Sequence, residues 1–256
     1  MRGLILSIGW FVCFSLNAQD SVKVYKNSIE IGGRYEAFWG NYNPRSYLYF
    51  QYGRKMGLVD AQFKGARYTL GSRSGWFFEN NYYISFKKGY LHAGGTYSDS
   101  YLLPHYRYRV ELYKNFNRVE VSLGGGAVKP HTYRTIPYFT GTLGYYAGNY
   151  FLYFRPTFSH VDGYSKSYFL QVRRYFDDIH YVSLSGLKGE DTGANRAFNA
   201  VENSFGNDTY LIRLQTRIKS GHYFVGVGMD FGGLYIPQRS EYAKFVGIDL
   251  FINREL

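Results

Sequence analysis

The chain has 256 residues and a formal net charge of +11 at pH 7, and 21% of its residues are aromatic. Its single cysteine, Cys13, excludes an intramolecular disulfide, and its basic residues are scattered singly, which argues against a nucleic-acid partner. The longest apolar run, residues 4–16, is too short to cross a bilayer as a helix.

The N-terminal segment has the pattern of a secretory signal peptide. Arg2 supplies a positive charge, residues 4–16 form an apolar stretch, and Ala18 is a small residue at which cleavage fits. We therefore predict a signal peptide over residues 1–18, a short periplasmic lead-in over residues 19–28 and a single membrane domain over residues 29–256.

The segment HYRYRVELYKNFNRVEVSLGG, residues 105–125, shows the pattern that recurs along the rest of the chain. From Tyr106 to Leu112 every second residue is apolar or aromatic, and the residues between them are charged. Because successive side chains of a strand point to opposite faces, this alternation predicts a strand with one apolar and one polar face. Similar segments predict fourteen strands, at 29–39, 46–54, 58–68, 76–86, 89–98, 106–113, 118–126, 135–146, 149–159, 165–176, 178–187, 208–218, 222–231 and 243–254.

Short and long connections alternate between the predicted strands. Tight turns are predicted at 54–57, 87–89, 114–117, 148–149, 177–178 and 219–221. Longer links are predicted at 40–45, 69–75, 99–105, 127–134, 160–164, 188–207 and 232–242. This rhythm is typical of an all-β, antiparallel up-and-down transmembrane β-barrel with short periplasmic turns and long external loops. Both termini are then periplasmic, which requires an even strand number: fourteen, or twelve if two weak segments merge.

The apolar face of each strand has two possible environments. In a soluble β-sandwich it would form the core, whereas in a membrane barrel it would face lipid, and the charged face would line an aqueous lumen. Most segments reach the roughly 9–11 residues of a tilted membrane strand. Aromatic residues also concentrate near strand ends, as membrane interfaces favour: Trp39, Trp76, Tyr106, Tyr145, Tyr146, Tyr150, Tyr223 and Tyr242. The sequence therefore favours the membrane barrel.

The predicted lumen carries charges of both signs with an excess of arginine. Its candidate lining residues are Arg34, Glu36, Lys64, Glu79, Arg107, Arg109, Glu111, Arg118, Glu120, Arg155, Arg173, Arg213, Arg217, Asp230 and Asp249. Basic side chains around a pore favour anions. In the hairpin of the sixth and seventh strands, the expected register sets Glu111 opposite Glu120, with Arg109 and Arg118 diagonal to them.

Several short motifs are similar to those of the YaiO-type outer-membrane β-barrel family. They are YSDS at 97–100, PHYRY at 104–108, VELYK at 110–114, EVSLG at 120–124, YAGNY at 146–150 and RRYF at 173–176. The resemblance implies a barrel in the outer membrane of a Gram-negative cell, among its lipids and lipopolysaccharide. The alternating residues 245–256 resemble the terminal strand that the outer-membrane barrel assembly machinery reads.

Three functions remain open on the sequence. The first is a channel or export conduit for anionic solutes or an acidic surface polysaccharide, and the second is a barrel plugged by its own side chains that acts in structure or adhesion. The third is a lipid A-modifying enzyme that would use residues of the long loops: Ser98, Ser100, His105, His131, Ser159 and His160. No nucleotide, metal or nucleophile motif is found, so neither a cofactor nor a metal is expected.

Overall fold

The computed structural model describes residues 27–100, 103–132, 134–160, 164–177, 179–190, 208–236 and 239–256. The predicted signal peptide, residues 19–26 of the lead-in and residues 191–207 of the longest link lie outside the described residues. In the part of the chain that is described, no helix is long and apolar enough to cross a membrane.

Fourteen antiparallel β-strands form a closed barrel. They are β1 (Asn27–Phe38), β2 (Arg45–Met56), β3 (Val59–Leu70), β4 (Arg73–Phe86), β5 (Gly89–Ser98), β6 (Tyr106–Phe116), β7 (Val119–Lys129), β8 (Ile136–Ala147), β9 (Tyr150–His160), β10 (Tyr164–Tyr175), β11 (Tyr181–Glu190), β12 (Asp208–Ser220), β13 (Tyr223–Ile236) and β14 (Glu241–Glu255). Each strand pairs with its neighbours in the chain, and β14 pairs with β1. The predicted up-and-down barrel of fourteen strands is confirmed, and the alternative of twelve is wrong.

The pairing of β1 with β14 removes the edges that an open sheet would have. Ser28 pairs with Glu255 and Phe38 with Phe245, so the two strands stay in register over nearly their whole length. Within hydrocarbon an unpaired backbone N–H or C=O has no water to bond, and each costs several kcal/mol. Closure therefore gives the backbone N–H and C=O groups of every strand a hydrogen-bond partner, which a sheet in lipid can achieve in no other way.

The two ends of the barrel differ in their connections. The end that holds residues 27 and 256, here called the terminus end, has short turns at 57–58, 87–88, 117–118, 148–149, 176–180 and 221–222. Left-handed backbone conformations at Gly57, Lys88 and Asn117 permit two-residue turns at this end. The opposite end, here called the loop end, has the connections 39–44, 71–72, 99–105, 130–135, 161–163, 191–207 and 237–240.

Five of the predicted long links are shorter in the structure, and two of them differ most from the prediction. The link predicted at 69–75 is a two-residue turn, because Gly71 adopts a left-handed conformation with φ of 57° and lets β3 and β4 extend on either side. The link predicted at 232–242 comprises only residues 237–240 in the structure. Strand β13 continues to Ile236, and its inward positions stay buried.

The register predicted for the β6–β7 hairpin is wrong. Glu111 pairs with Gly124 and Glu120 pairs with Asn115, so the two carboxylates are not opposed. The turn lies at 117–118 because Asn117, with φ of 55°, takes the left-handed conformation that a two-residue hairpin turn needs. Arg118 consequently lies in this turn, exposed and outside the lumen, instead of on the inward face where the sequence placed it.

The apolar side chains of the strands face outward. Leu123 is 76% exposed, Phe139 72% and Leu48 65%, and they belong to a belt of large apolar residues around the barrel. A soluble sandwich would bury this set, so the exposed belt is the lipid-facing surface.

The aromatic residues predicted at the membrane interfaces follow the outward face with one exception. Trp39 and Trp76 are exposed at the loop end, and Tyr223 is exposed at the terminus end. Tyr146 instead faces inward, where its ring centroid lies 4.5 Å from that of Phe151. The reason is strand parity, because Tyr145 and Tyr146 are adjacent and only one of them can point outward.

Candidate functional site

Inward-facing residues of β12, β13, β14, β1 and β2 form an ion cluster, here called the Asp230 cluster. Asp230 is fully buried and accepts hydrogen bonds from Arg213 Nε at 2.7 Å and Nη2 at 3.0 Å. Its Oδ2 also lies 2.7 Å from Arg34 Nη2. Arg34 and Arg45 both pair with Glu36. The members of the cluster are Arg34, Glu36, Arg45, Arg213, Asp230 and Asp249.

A second ion cluster, the Glu111 cluster, lies on the inner wall from β4 to β9. Glu111 is fully buried, with Oε2 at 2.5 Å from Arg155 Nη2, and its Oε1 accepts a hydrogen bond from Ser122 at 2.5 Å. Arg155 Nε donates to Thr140 Oγ1 at 3.1 Å. The charged and imidazole members of this cluster are Glu79, His92, Arg107, Arg109, Glu111 and Arg155.

These clusters hold the inner wall together without creating a strong local charge. In the Asp230 cluster three arginines face three carboxylates. A buried carboxylate is tolerated only when a counter-charge and hydrogen bonds replace its lost hydration, and both Asp230 and Glu111 have them. The Asp230 cluster therefore adds no net charge to the lumen.

Three groups of buried apolar and aromatic side chains lie on the inner wall near the loop end and form what we call the apolar layer. Leu103, from the β5–β6 loop, is 1% exposed and packs with Tyr47, Tyr68 and Phe77. Two further groups are Leu187, Leu211, Leu234 and Phe245, on β11 to β14, and Val128 and Tyr138, on β7 and β8. An apolar constriction of this kind disfavours the entry of water and hydrated ions.

A cavity of about 410 Å³ lies in the lumen between β1–β3 and β10–β14. Leu187 and Leu211 belong both to its wall and to the apolar layer, so the layer bounds the cavity on the loop-end side. The remaining wall residues are polar, charged or aromatic: Glu30, Gly33, Arg34, Tyr47, Tyr49, Lys64, Phe169, Gln171, Ser185, Arg213, Gln215, Asp249 and Phe251. This cavity therefore lies on one side of the barrel, away from the Glu111 cluster.

Two arginines lie next to this cavity, towards the terminus end, and form what we call the Arg173–Arg217 patch. Each is two residues beyond a wall glutamine on the same strand face, Gln171 on β10 and Gln215 on β12. Arg173 lies over the ring of Tyr181 at 4.4 Å, and Arg217 over that of Phe224 at 4.0 Å. Neither arginine has a carboxylate within ion-pair distance among the described residues, so both keep their charge available to the lumen.

The predicted lumen residues are divided among these surroundings. The Asp230 cluster takes Arg34, Glu36, Arg213, Asp230 and Asp249. The Glu111 cluster takes Glu79, Arg107, Arg109, Glu111 and Arg155. Lys64 lines the cavity, Arg173 and Arg217 form the patch, and Glu120 is buried on the β7 wall. Arg118 is excluded by its place in the β6–β7 turn.

Sequence reasoning missed Arg45 and Glu30. Arg45 was assigned to a link, although its alternation with Tyr47 and Tyr49 would have extended β2 to include it. Glu30 accepts a hydrogen bond from Tyr49 Oη at 2.8 Å and lines the cavity. Its alternation with Arg34 was the available signal, because the two residues share a strand face.

The loop residues considered for an enzyme are only partly brought together. His105 and His131 have ring centroids 4.5 Å apart, whereas His160 contacts Tyr164. Ser98 is fully buried, donates a hydrogen bond to the carbonyl of Trp76 at 2.8 Å and accepts one from the backbone of Ser100. Ser98 therefore has a structural role in the loop. Over the described ranges, no group of three or more His, Cys, Asp or Glu residues is placed to hold a metal ion.

The comparisons with known proteins agree with this architecture. In fold the chain is similar to the Acinetobacter baumannii outer membrane protein Omp33, with a TM-score of 0.54 and 14% identity over 91% of this chain and 98% of that chain. It is also similar to a bacterial polysaccharide outer membrane secretin, with a TM-score of 0.58 and 9% identity over 91% of this chain and 100% of that one. These likenesses show a shared fold alone. No curated protein sequence matches the chain.

The family model of the YaiO membrane β-barrel domain matches residues 26–192, which is more than half of the chain. The structural neighbours are themselves outer-membrane proteins. The chain therefore belongs to the YaiO membrane β-barrel domain family and is an outer-membrane β-barrel.

Proposed function

We propose that this barrel is a narrow, gated channel that favours anionic solutes. The observation that carries the proposal is the position of the Arg173–Arg217 patch beside the lumen cavity. An anion entering from the terminus end meets two arginines without acidic partners in the described part of the chain before it reaches the cavity. Unbalanced basic side chains in a narrow aqueous space attract anions and repel cations.

In this proposal the terminus end faces the periplasm and the loop end faces the outside. Short turns on the periplasmic side are the common arrangement of outer-membrane barrels. The same orientation brings β14, whose alternation continues to its end, to the side from which the barrel assembly machinery would read it. Solutes would then enter the patch from the periplasm, which suits an export conduit.

The apolar layer means that conduction requires opening at the loop end. Leu103 belongs to a loop, and loop motions take place in nanoseconds to microseconds without disturbing the strands. The side chains of the apolar layer would have to move further apart for an acidic polysaccharide than for a small anion. Small anions are therefore the first cargo to test.

The plugged barrel with a structural or adhesion role is the second candidate. It is favoured by the same apolar layer, together with the Glu111 cluster that occupies the opposite side of the lumen. A barrel of this kind would not conduct even when its loops are free to move.

Planar bilayer recordings of the purified protein distinguish the two candidates. Under a KCl gradient we expect a reversal potential with the sign of a chloride-selective pore. Arg173→Gln combined with Arg217→Gln should move this potential towards zero. Arg118→Gln removes an arginine outside the lumen and should leave it unchanged. Complete absence of current would reject the channel, and a cation-selective current would reject the role of the patch.

A further inference from the structure

We infer that the lumen cavity is a binding site for a monoanionic, hydroxylated ring compound, of which an acidic sugar residue is the natural example. The inference deepens the proposed function and depends on it only for the route by which the ligand arrives. The volume of about 410 Å³ falls within the roughly 300–1,000 Å³ of small-molecule sites.

Aromatic side chains form parts of the cavity wall on β2, β10 and β14. On β2, Tyr47 and Tyr49 are stacked, with ring centroids 5.3 Å apart and planes inclined by 25°. Phe169 on β10 and Phe251 on β14 line other parts of the wall. An aromatic face is apolar and carries the negative side of its quadrupole, so it suits the C–H face of a sugar ring, which is apolar and weakly positive.

A cation lies directly against this aromatic surface. Lys64 Nζ is 4.8 Å from the centroid of the Tyr49 ring. A ligand ring beside the edge of Tyr49 would therefore hold a carboxylate within reach of the ammonium group. Arg34, Arg213 and Asp249 are balanced within the Asp230 cluster, and Glu30 accepts a hydrogen bond from Tyr49. Lys64 is therefore the wall cation that offers one contact to a carboxylate of the ligand.

Polar groups of both kinds around the cavity suit hydroxyl groups. Arg34 and Asp249 line the cavity with a donor and an acceptor side chain. Gln171 and Gln215 add side-chain amides, each of which both donates and accepts. A hydroxyl group does the same, whereas an inorganic anion offers no apolar face to the aromatic surfaces.

Isothermal titration calorimetry of the full mature protein in detergent tests this inference with sodium D-glucuronate, D-glucose and inorganic phosphate as probes. We expect saturable binding of glucuronate, and at least about tenfold weaker binding of glucose and of phosphate. Lys64→Gln should weaken glucuronate binding about tenfold and leave the binding of glucose unchanged, because it removes only the charge contact. Tyr49→Leu should weaken both sugars, and Arg118→Gln neither.

Two results would overturn the inference: no saturable binding of glucuronate, or phosphate binding as tight as that of glucuronate. Circular dichroism of each variant in the same detergent checks that it retains the β-sheet signal of the barrel. Bilayer recordings on the same preparation separate the two proposals. Anion current without glucuronate binding rejects the sugar site alone, whereas glucuronate binding without current rejects the channel and supports the site.

Discussion

Arg155 on β9 and Glu111 on β6 form an ion pair across two intervening strands. Arg155 Nη2 lies 2.5 Å from Glu111 Oε2, although the residues are 44 positions apart in the chain. Both side chains point inward, and Glu111 is fully buried. The pair therefore ties together the wall opposite the cavity.

Removing the acidic partner should destabilise the barrel strongly. Glu111→Ala leaves the buried Arg155 without its counter-charge, and breaking such a pair costs roughly 3–5 kcal/mol. Urea-induced unfolding in lipid vesicles, followed by the fluorescence of Trp39 and Trp76, measures the loss. Glu120→Gln is the matched control, because Glu120 Oε2 has no hydrogen-bond partner in the described ranges. Equal losses for the two variants would contradict this account of the pair.

The apolar layer makes Leu103 a direct target for the gate. Leu103→Ala removes packing against Tyr68 and Phe77, and truncations of buried leucine cost roughly 2–5 kcal/mol. We expect a higher open probability in single-channel recordings, because the lost packing destabilises the closed position of the loop more than the open one. Leu58→Ala, at a residue 62% exposed in a terminus-end turn, should leave the recordings unchanged. An unaltered open probability in Leu103→Ala would exclude this contact as the gate.

Glycines on the inward face of β13 set the size of the cavity. A Cβ added at Gly226 would lie 1.9 Å from the Phe251 ring, which is part of the cavity wall. Gly226→Ala should therefore push that ring into the lumen and reduce both current and glucuronate binding. At Gly186 an added Cβ meets only the Leu211 carbonyl, at 3.7 Å, so Gly186→Ala is the matched control. Normal current in Gly226→Ala would show that the ring moves elsewhere.

The turn between β10 and β11 should give a pH-dependent contribution to stability. Backbone N–H groups of His180 and Ile179 donate to Asp177 Oδ1 at 2.7 and 2.8 Å, and these bonds lower the pKa of Asp177 to about 2. The Asp177 side chain in turn raises the pKa of His180 above its ordinary value of 6.5. The contribution of Asp177 is complete above pH 3.8 and is lost as the pH falls towards 2, whereas that of His180 is complete below pH 6.5 and is lost above it.

NMR titration of the histidine resonances in micelles tests this contact. The His180 resonance should titrate above pH 6.5 and return to the ordinary range in Asp177→Asn. His222, in another terminus-end turn, provides an internal reference in the same spectra. A His180 pKa that is the same in both proteins would rule out the contact in solution.

The strand faces could be read from the sequence because the bilayer allows only one solution. Leu123 must face lipid and Ser122 the lumen once the segment is a closed-barrel strand, and period-two alternation then assigns every neighbour. The positions of the turns were harder to predict, because neighbouring residues of similar composition could form the turn. In the structure Asn117 takes the left-handed conformation and sets the position of the turn. That position shifted the partner of Glu111 from Glu120 to Gly124.

Contacts between strands that are not neighbours in the barrel could not be predicted from the sequence. The ion pair of Glu111 with Arg155 depends on the stagger of β6, β7, β8 and β9, and this shear is a property of the closed barrel as a whole. The alternation gave the face of each residue but not its height in the barrel. For the same reason, the sequence showed arginine in excess but did not distinguish paired arginines, such as Arg213, from those of the patch.

The apolar layer and the arginine patch should respond differently to salt. The field of the arginines is screened over about 10 Å at 0.1 M ionic strength, so any preference for anions should fade as salt rises. In the proposed channel, resistance to leakage has another origin, because an ion that crosses the apolar layer at Leu103 and Phe77 must shed its hydration whatever its sign. A cell could therefore keep this barrel sealed in fresh water and in brine alike, while its discrimination between charges varies with the medium.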